Sequence, residues 1–213
     1  MFKNTLTKTL SATLSIGLLS VLLSLNTAQA ADPVRGEKLA QTCQGCHGAP
    51  GLRNPGPVYN IPMIGGQHSE YIIAALQAYK AQTRDHKTMQ AQAASLSDED
   101  MADIAAFYSS ISGNSRPSLV NKLQAKAGKE KSVQCASCHG ANGDGDQSTF
   151  PKLAGQYENY LIQSLKGYRS GDRQNPIMSG FASSLTIDDI KALSAWFASQ
   201  EGGLSAPQGE IFK

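Results

Sequence analysis

Past its first thirty residues the sequence has no excess of either charge, no long apolar run and no cysteine outside two short motifs. Nineteen Lys and Arg stand against seventeen Asp and Glu. Two of those basic residues, Lys3 and Lys8, lie in the first thirty positions, which carry no acid, so the remainder balances to a net charge of zero. A chain without a basic patch gives no support for a nucleic-acid partner. The 213 residues suffice for one large domain or two small ones. A domain of about 90 residues buries only a thin core and often needs a cofactor to complete it.

The first thirty residues carry the chain's one extended apolar stretch, Leu14 to Leu25, interrupted only by Ser and Gly. Lys3 and Lys8 precede it and Ala28-Gln29-Ala30 follows it. A positive start, a short apolar run and an A-x-A site define a signal peptide. The expected domain plan therefore begins with a signal peptide at 1–30, cleaved after Ala30, and an exported, periplasmic mature chain.

That mature chain repeats itself. Gly36 to Gly48 aligns with Gly128 to Gly140, 92 residues on, and Pro62 to Ser110 aligns with Pro151 to Ser199, 89 residues on. The change of register falls in the loop after each cysteine motif. Gly66-Gln67 matches Gly155-Gln156, Tyr71 matches Tyr160, Tyr79 matches Tyr168 and Arg84 matches Arg173. Between the copies lies Ser112-Gly113-Asn114-Ser115-Arg116-Pro117, rich in turn formers. The reading is a duplication: a first domain at 31–113, a linker at 114–117, a second domain at 118–200 and a tail at 201–213.

Each copy reads as all-α. The segment from Pro33 has the spacing of a helix that ends on the cysteine motif, and Ser69 to Ala81 places Tyr71, Ala75, Leu76 and Tyr79 at helical intervals. Ser97 to Asp100 and Thr186 to Asp189 pair a hydroxyl with an acid three residues later, which starts a capped last helix in each copy. Gly48 to Gly66 and Gly140 to Gly155 are expected to be loops. Asn142-Gly143-Asp144-Gly145-Asp146 has a superficial likeness to a calcium loop but lacks the closing Glu, so it reads as a tight turn.

The four cysteines are Cys43, Cys46, Cys135 and Cys138, and each pair forms C-x-x-C-H with His47 or His139. Attachment of a c-type haem needs two thiols for its vinyl groups and an adjacent imidazole for its iron, and this motif supplies all three. Zinc ribbons space their pairs about 15–20 residues apart, far closer than these motifs, and thioredoxin-like dithiols need a βαβ setting. A structural disulfide would leave the two histidines without a role. Two covalently bound haem c groups are therefore expected.

The sixth iron position decides what each haem can do, because a Met there closes the site and raises the potential. The mature chain offers Met63, Met89, Met101 and Met178, with His68 and His86 as competitors. In the repeat, Met63 faces Lys152, Met101 faces Ile190, His68 faces Tyr157 and His86 faces Asn175. Only Met89 and Met178 preserve ligand chemistry in both copies. The expected ligands are His47 and Met89 for the first iron, and His139 and Met178 for the second. His68 and His86 are left as solvated residues. Pro62 and Pro151 could offer carbonyls to the far nitrogens of the histidines. Arg84 and Arg173 read equally as partners of haem propionates and as exposed cations. Tyr79 and Tyr168 read equally as haem-edge or interdomain hydrogen-bonders and as core.

At these residues the sequence resembles the cytochrome c4 family, over essentially the whole mature chain. The resemblance implies two tandem class I cytochrome c domains related by a pseudo-twofold axis, with His/Met ligation of both irons and propionates facing across the interface. It also implies electron delivery from a quinol-oxidising cytochrome complex towards a terminal oxidase, with loose membrane association. The expected function is that of an electron carrier without a catalytic residue. The alternatives are a cytochrome subunit of a flavocytochrome or another periplasmic dehydrogenase, and a dihaem enzyme with one open iron.

Overall fold

The structure is a computed structural model that describes residues 30–112 and 118–207. The segment expected to be a signal peptide, apart from Ala30, and the expected linker at 114–117 lie outside the described residues, and the chain from Ala31 onwards forms a compact unit. Among the described residues no helix is long and apolar enough to cross a membrane.

The first copy contains α1 (Pro33–Leu39), α2 (Gln41–His47), α3 (Ser69–Lys80), α4 (Lys87–Ala94) and α5 (Asp98–Ser110). The second contains α6 (Lys122–Lys131), α7 (Ala136–His139), α8 (Glu158–Ser170), α9 (Pro176–Ser183) and α10 (Ile187–Ala198), with one 3-10 turn before α7. The helix expected to run unbroken from Pro33 into the first cysteine motif is two helices meeting at Ala40. Asp32 starts α1 by accepting from the backbone of Val34 and Arg35, with Pro33 at the position where a missing N–H costs nothing. Both last helices carry the expected capping box, Ser97 with Asp100 and Thr186 with Asp189.

In each copy the first and last helices cross at a glycine. A Cβ on Gly36 would run into the carbonyl of Asp103, and one on Gly128 into that of Ala192. The crossing brings Ala40, Ile72, Ile104, Ala105 and Tyr108 into one core, while Leu161, Phe197 and Ala198 form the second. The stretch from Gly48 to Gly66 is not wholly loop: β1 (Arg53–Pro55) and β2 (Val58–Asn60) form a two-stranded antiparallel hairpin, with Tyr59 buried opposite Asn54. Asn142 to Asp146 is a turn, held by Gly145 N–H donating to the carbonyl of His139 at 2.8 Å. Among the described residues no cluster of metal-binding side chains of the usual type occurs.

The two copies meet through contacts that recur with the halves exchanged. Gln67 takes both backbone groups of Lys152, accepting at 2.9 Å and donating at 3.1 Å. Gln156, its equivalent, takes both backbone groups of Met63, at 3.1 and 2.8 Å. The segments before α4 and α9 run antiparallel about Arg84 and Arg173: Asp85 N–H donates to Asp172 O and Gln174 N–H to Thr83 O, each at 2.8 Å. This exchange is what a two-fold relation between halves requires. The tail, described as far as residue 207, returns to the first half. Gly65 and Ser205 exchange backbone hydrogen bonds at 3.0 and 2.9 Å, and Leu204 is fully buried.

Candidate haem sites

His47 closes α2 and His139 closes α7, so each follows its two cysteines on the last helical turn. Both imidazoles are buried. Nδ1 of His47 donates to the carbonyl of Pro62 at 2.9 Å, and Nδ1 of His139 to that of Pro151 at 2.9 Å. A carbonyl can only accept, so the proton sits on Nδ1 and the Nε2 lone pair is left for a metal. Burial pushes both histidines below the usual imidazole range, and in His47 the charges of His86 and Arg84 push the same way. Both rings are therefore neutral at pH 7, the form that ligates iron.

The four thiols are unpaired. Cys43 packs against the first core and Cys135 against the second, while Cys46 is exposed and Cys138 half-buried. Burial raises the pKa of Cys43 and Cys135. They are consequently inert thiols rather than reactive thiolates until a partner with its own chemistry arrives. Two free thiols beside an imidazole with a fixed tautomer form a donor set that fits a c-type haem in each half.

Met89 and Met178 are both half-buried, at the third position of α4 and of α9. Their backbones are held alike. Nδ1 of His86 accepts from Met89 N–H at 3.2 Å, and Oδ1 of Asn175 accepts from Met178 N–H at 3.0 Å. Met63 and Met101 are core residues, 7 % and 0 % exposed.

Several residues depart from their sequence reading. His86 is an N-cap rather than a solvated side chain. His68 is also engaged, its Nε2 donating to the carbonyl of Gly145 in the other half at 2.8 Å. Arg84 is buried, which removes its reading as an exposed cation. Tyr79 and Tyr168 lie beneath the guanidinium groups of Arg84 and Arg173. Sequence reasoning missed Tyr59, whose ring lies 6.4 Å from that of His86, because its hairpin has no equivalent in the repeat. The crossed glutamines were visible as a repeated Gly-Gln, but nothing in the sequence marked them as seam residues.

A family model for cytochrome c matches this chain twice, at residues 33–112 and 125–201. The chain is 34% identical over 195 residues to "Cytochrome c4" of Pseudomonas aeruginosa, covering 84% of this chain and 96% of that one. It is 30% identical to "Thiosulfate dehydrogenase electron acceptor" of Stutzerimonas stutzeri, covering 85% and 92%. Among solved structures, the reduced recombinant cytochrome c4 from Pseudomonas stutzeri superposes with a TM-score of 0.70 at 33% identity, over 81% of this chain and 100% of that chain.

Proposed function

We propose, from the premise that this chain belongs to the cytochrome c family and within it to the dihaem cytochromes c4, that it carries electrons in the periplasm between a quinol-oxidising cytochrome complex and a terminal oxidase. Its fold is two tandem cytochrome c domains and its cofactors are two covalently bound haem c groups. The domains are taken as 31–113 and 118–200, joined by 114–117 and preceded by a signal peptide cleaved after Ala30.

Bound haem c supplies a one-electron iron couple. The chain's residues do the rest. Cys43 with Cys46, and Cys135 with Cys138, would hold each group through thioether bonds. His47 and His139 offer Nε2 to the irons, and the carbonyls of Pro62 and Pro151 fix the ring orientation and make Nε2 a better donor. Met89 and Met178, on α4 and α9, would offer their thioether sulfurs to the irons and exclude other ligands. The observation that carries this reading is the duplicated histidine, buried, tautomerically fixed and directly following two free thiols in both halves.

The reading is tested by the absorption spectrum and redox titration of the purified protein. Sharp c-type bands, two haems per chain, two high-potential steps and no binding of carbon monoxide to the reduced form are expected. Rapid carbon monoxide binding at one haem would replace the carrier with an enzyme, and a strongly negative step would defeat delivery to an oxidase. A second reading follows from the relative whose name is an electron acceptor for a dehydrogenase. On that reading a periplasmic dehydrogenase is the donor. Mixing the oxidised protein with a reduced quinol-oxidising complex and, separately, with a thiosulfate-reduced dehydrogenase distinguishes the two by the rate of haem reduction.

A further inference from the structure

The turn after His139 braces that histidine from within its own half. Nδ1 of His139 donates to the carbonyl of Pro151 at 2.9 Å, and Gly145 N–H donates to the carbonyl of His139 at 2.8 Å. The same turn reaches the segment that follows Pro151: the carbonyl of Gly143 accepts from Leu153 N–H at 2.6 Å and from Ala154 N–H at 2.9 Å. Gly145 also lies on the backbone of Gly140, where an added Cβ would stand 2.7 Å from Gly145 N. The stretch from Gly143 to Gly145 therefore joins Ala154 to Gly140. It ties the chain that carries the imidazole to the chain that carries its carbonyl partner.

In the repeat, Gly65 stands at the place of Ala154 and Gly48 at the place of Gly140. The chain leaving Gly48 does not join them. It runs out towards the hairpin and the other half, where Gly51 N–H donates to Tyr157 Oη at 2.8 Å. The tail of the second half makes the join instead. Gly65 N–H donates to Ser205 O at 3.0 Å, as Ala154 N–H does to Gly143 O, and a Cβ on Gly48 would stand 2.6 Å from the carbonyl oxygen of Pro207. Ser205 to Pro207 and Gly143 to Gly145 thus run in the same order between equivalent ends. Gly65 is buried, so its N–H has to find a protein acceptor, and the tail supplies one. Ser205 N–H returns a bond to Gly65 O at 2.9 Å, and Leu204 is fully buried, which anchors the insertion.

We infer that residues 204–207 are a part of the first haem site supplied by the second half, doing for His47 what the turn at 143–145 does for His139. This rests on the reading that haem is held in the first half through Cys43, Cys46 and His47. The dependence runs one way: the first imidazole is held by both halves and the second by its own. Leu204 and Ser205 are positioning residues, because they act through the backbone that keeps the Pro62 carbonyl on His47 Nδ1. That bond makes Nε2 a stronger donor, and a stronger donor favours the oxidised iron. Loosening the tail should therefore raise the potential of the first haem alone.

The test is a redox titration and a hydrogen-exchange measurement on the full-length holoprotein and its variants, each first shown to hold two haems per chain. Ser205→Pro removes the N–H that donates to Gly65, and Leu204→Ala removes the anchor. Each should raise the wave that Met89→Ala moves by about threefold in equilibrium constant, a part of what a lost partner of a ligating histidine costs, and leave the Met178→Ala wave in place. Exchange at the amides of 62–66 should speed by about tenfold, the worth of one or two backbone hydrogen bonds, while that at 151–155 stays unchanged. Ser205→Ala should do neither, since the buried Ser205 hydroxyl has no partner among the described residues. If Ser205→Pro fails to hold both haems, Leu204→Ala carries the test. Both waves moving together, neither moving, or a fall in the first would overturn the brace, as would a Ser205→Ala variant that behaves like Ser205→Pro. Fewer than two haems in the unaltered protein would instead overturn the functional reading beneath it.

Discussion

Where the first and last helices cross, Gly36 lies against the backbone of Asp103 in one half, and Gly128 lies against the backbone of Ala192 in the other. The backbone contact is common to both, but its surroundings are not. In the first half Asp103, nearly fully buried, accepts from Arg35 and from the backbone N–H of Asp32, and Arg35 also reaches Asp100. In the second half Ala192 offers no charge. Lys131 pairs with Asp189 nearer the end of the crossing, and Lys129 stands over Trp196 at 5.4 Å. Where two backbones touch, a methyl group cannot be admitted and both copies keep glycine. Where side chains merely fill or neutralise, the two copies have taken different solutions.

The strongest test of that division replaces the crossing glycines. Gly36→Val and Gly128→Val should each destabilise their own half by about 3 kcal/mol or more, the upper end of the cost of overpacking, because the neighbour is backbone, read by thermal unfolding of the holoprotein. Equal losses would show that the backbone approach dominates in both halves. A clearly smaller loss at Gly36 would assign part of the first crossing's stability to its ion pairs. Next in size is ligation. Met178→Ala should change the spectrum and lower the potential of one haem while the other keeps its wave, and Met89→Ala should do the reverse. Unchanged spectra in both would end the assignment of these residues as iron ligands.

Asp103 is the sharpest electrostatic difference between the halves. Hydrogen bonds from Arg35 and Asp32 hold its carboxyl below the usual range. A depressed carboxylate contributes stability that is complete above its unfolded pKa, about 3.9, and lost as pH falls through the folded value. Asp103→Asn should therefore cost about 1–3 kcal/mol at pH 7, as expected for a broken, largely buried network, and little once pH has fallen below the folded value. Acid unfolding followed at both haems should show this extra loss in the first half as pH falls from about 3.9 through the folded value. In the Asp103→Asn variant that excess should vanish. A first half indifferent to the substitution would mean that the half-exposed Arg35 is already screened by water.

Much of this was legible in the sequence because the chain duplicates itself. Two copies of C-x-x-C-H named the thiols and the histidines, and the alignment of Met89 with Met178 singled out one methionine pair. The capping boxes at Ser97 and Thr186 formed where their spacing placed them. The repeat was blind where the copies differ or where they meet. Tyr59 sits in a hairpin present in one copy alone. Arg84 stayed open between a propionate partner and an exposed cation, because its partner Tyr160 lies 76 residues away in the other half. The break at Ala40 was hidden because α1 and α2 carry one continuous helical pattern in the sequence.

The smallest expected effect concerns the caps beneath the two methionines. His86 and Asn175 occupy equivalent positions, both with extended backbones, and each accepts from the N–H three residues on. Asparagine is among the best residues at this position. Exchanging the cap alone, as His86→Asn, should thus leave stability within about 0.5 kcal/mol of wild type, whereas His86→Ala, which removes the acceptor, should cost about 1 kcal/mol. The histidine has a second role that asparagine cannot fill, because its ring meets Tyr59 and Tyr79 edge-on, each at 6.4 Å. Denaturant unfolding of the two variants separates these contributions. If His86→Asn matches wild type, the cap is the common requirement of both halves and the ring contacts are incidental. If it falls as far as His86→Ala, the first half holds Met89 through its aromatic neighbours, and the likeness between the two methionine sites ends at the backbone.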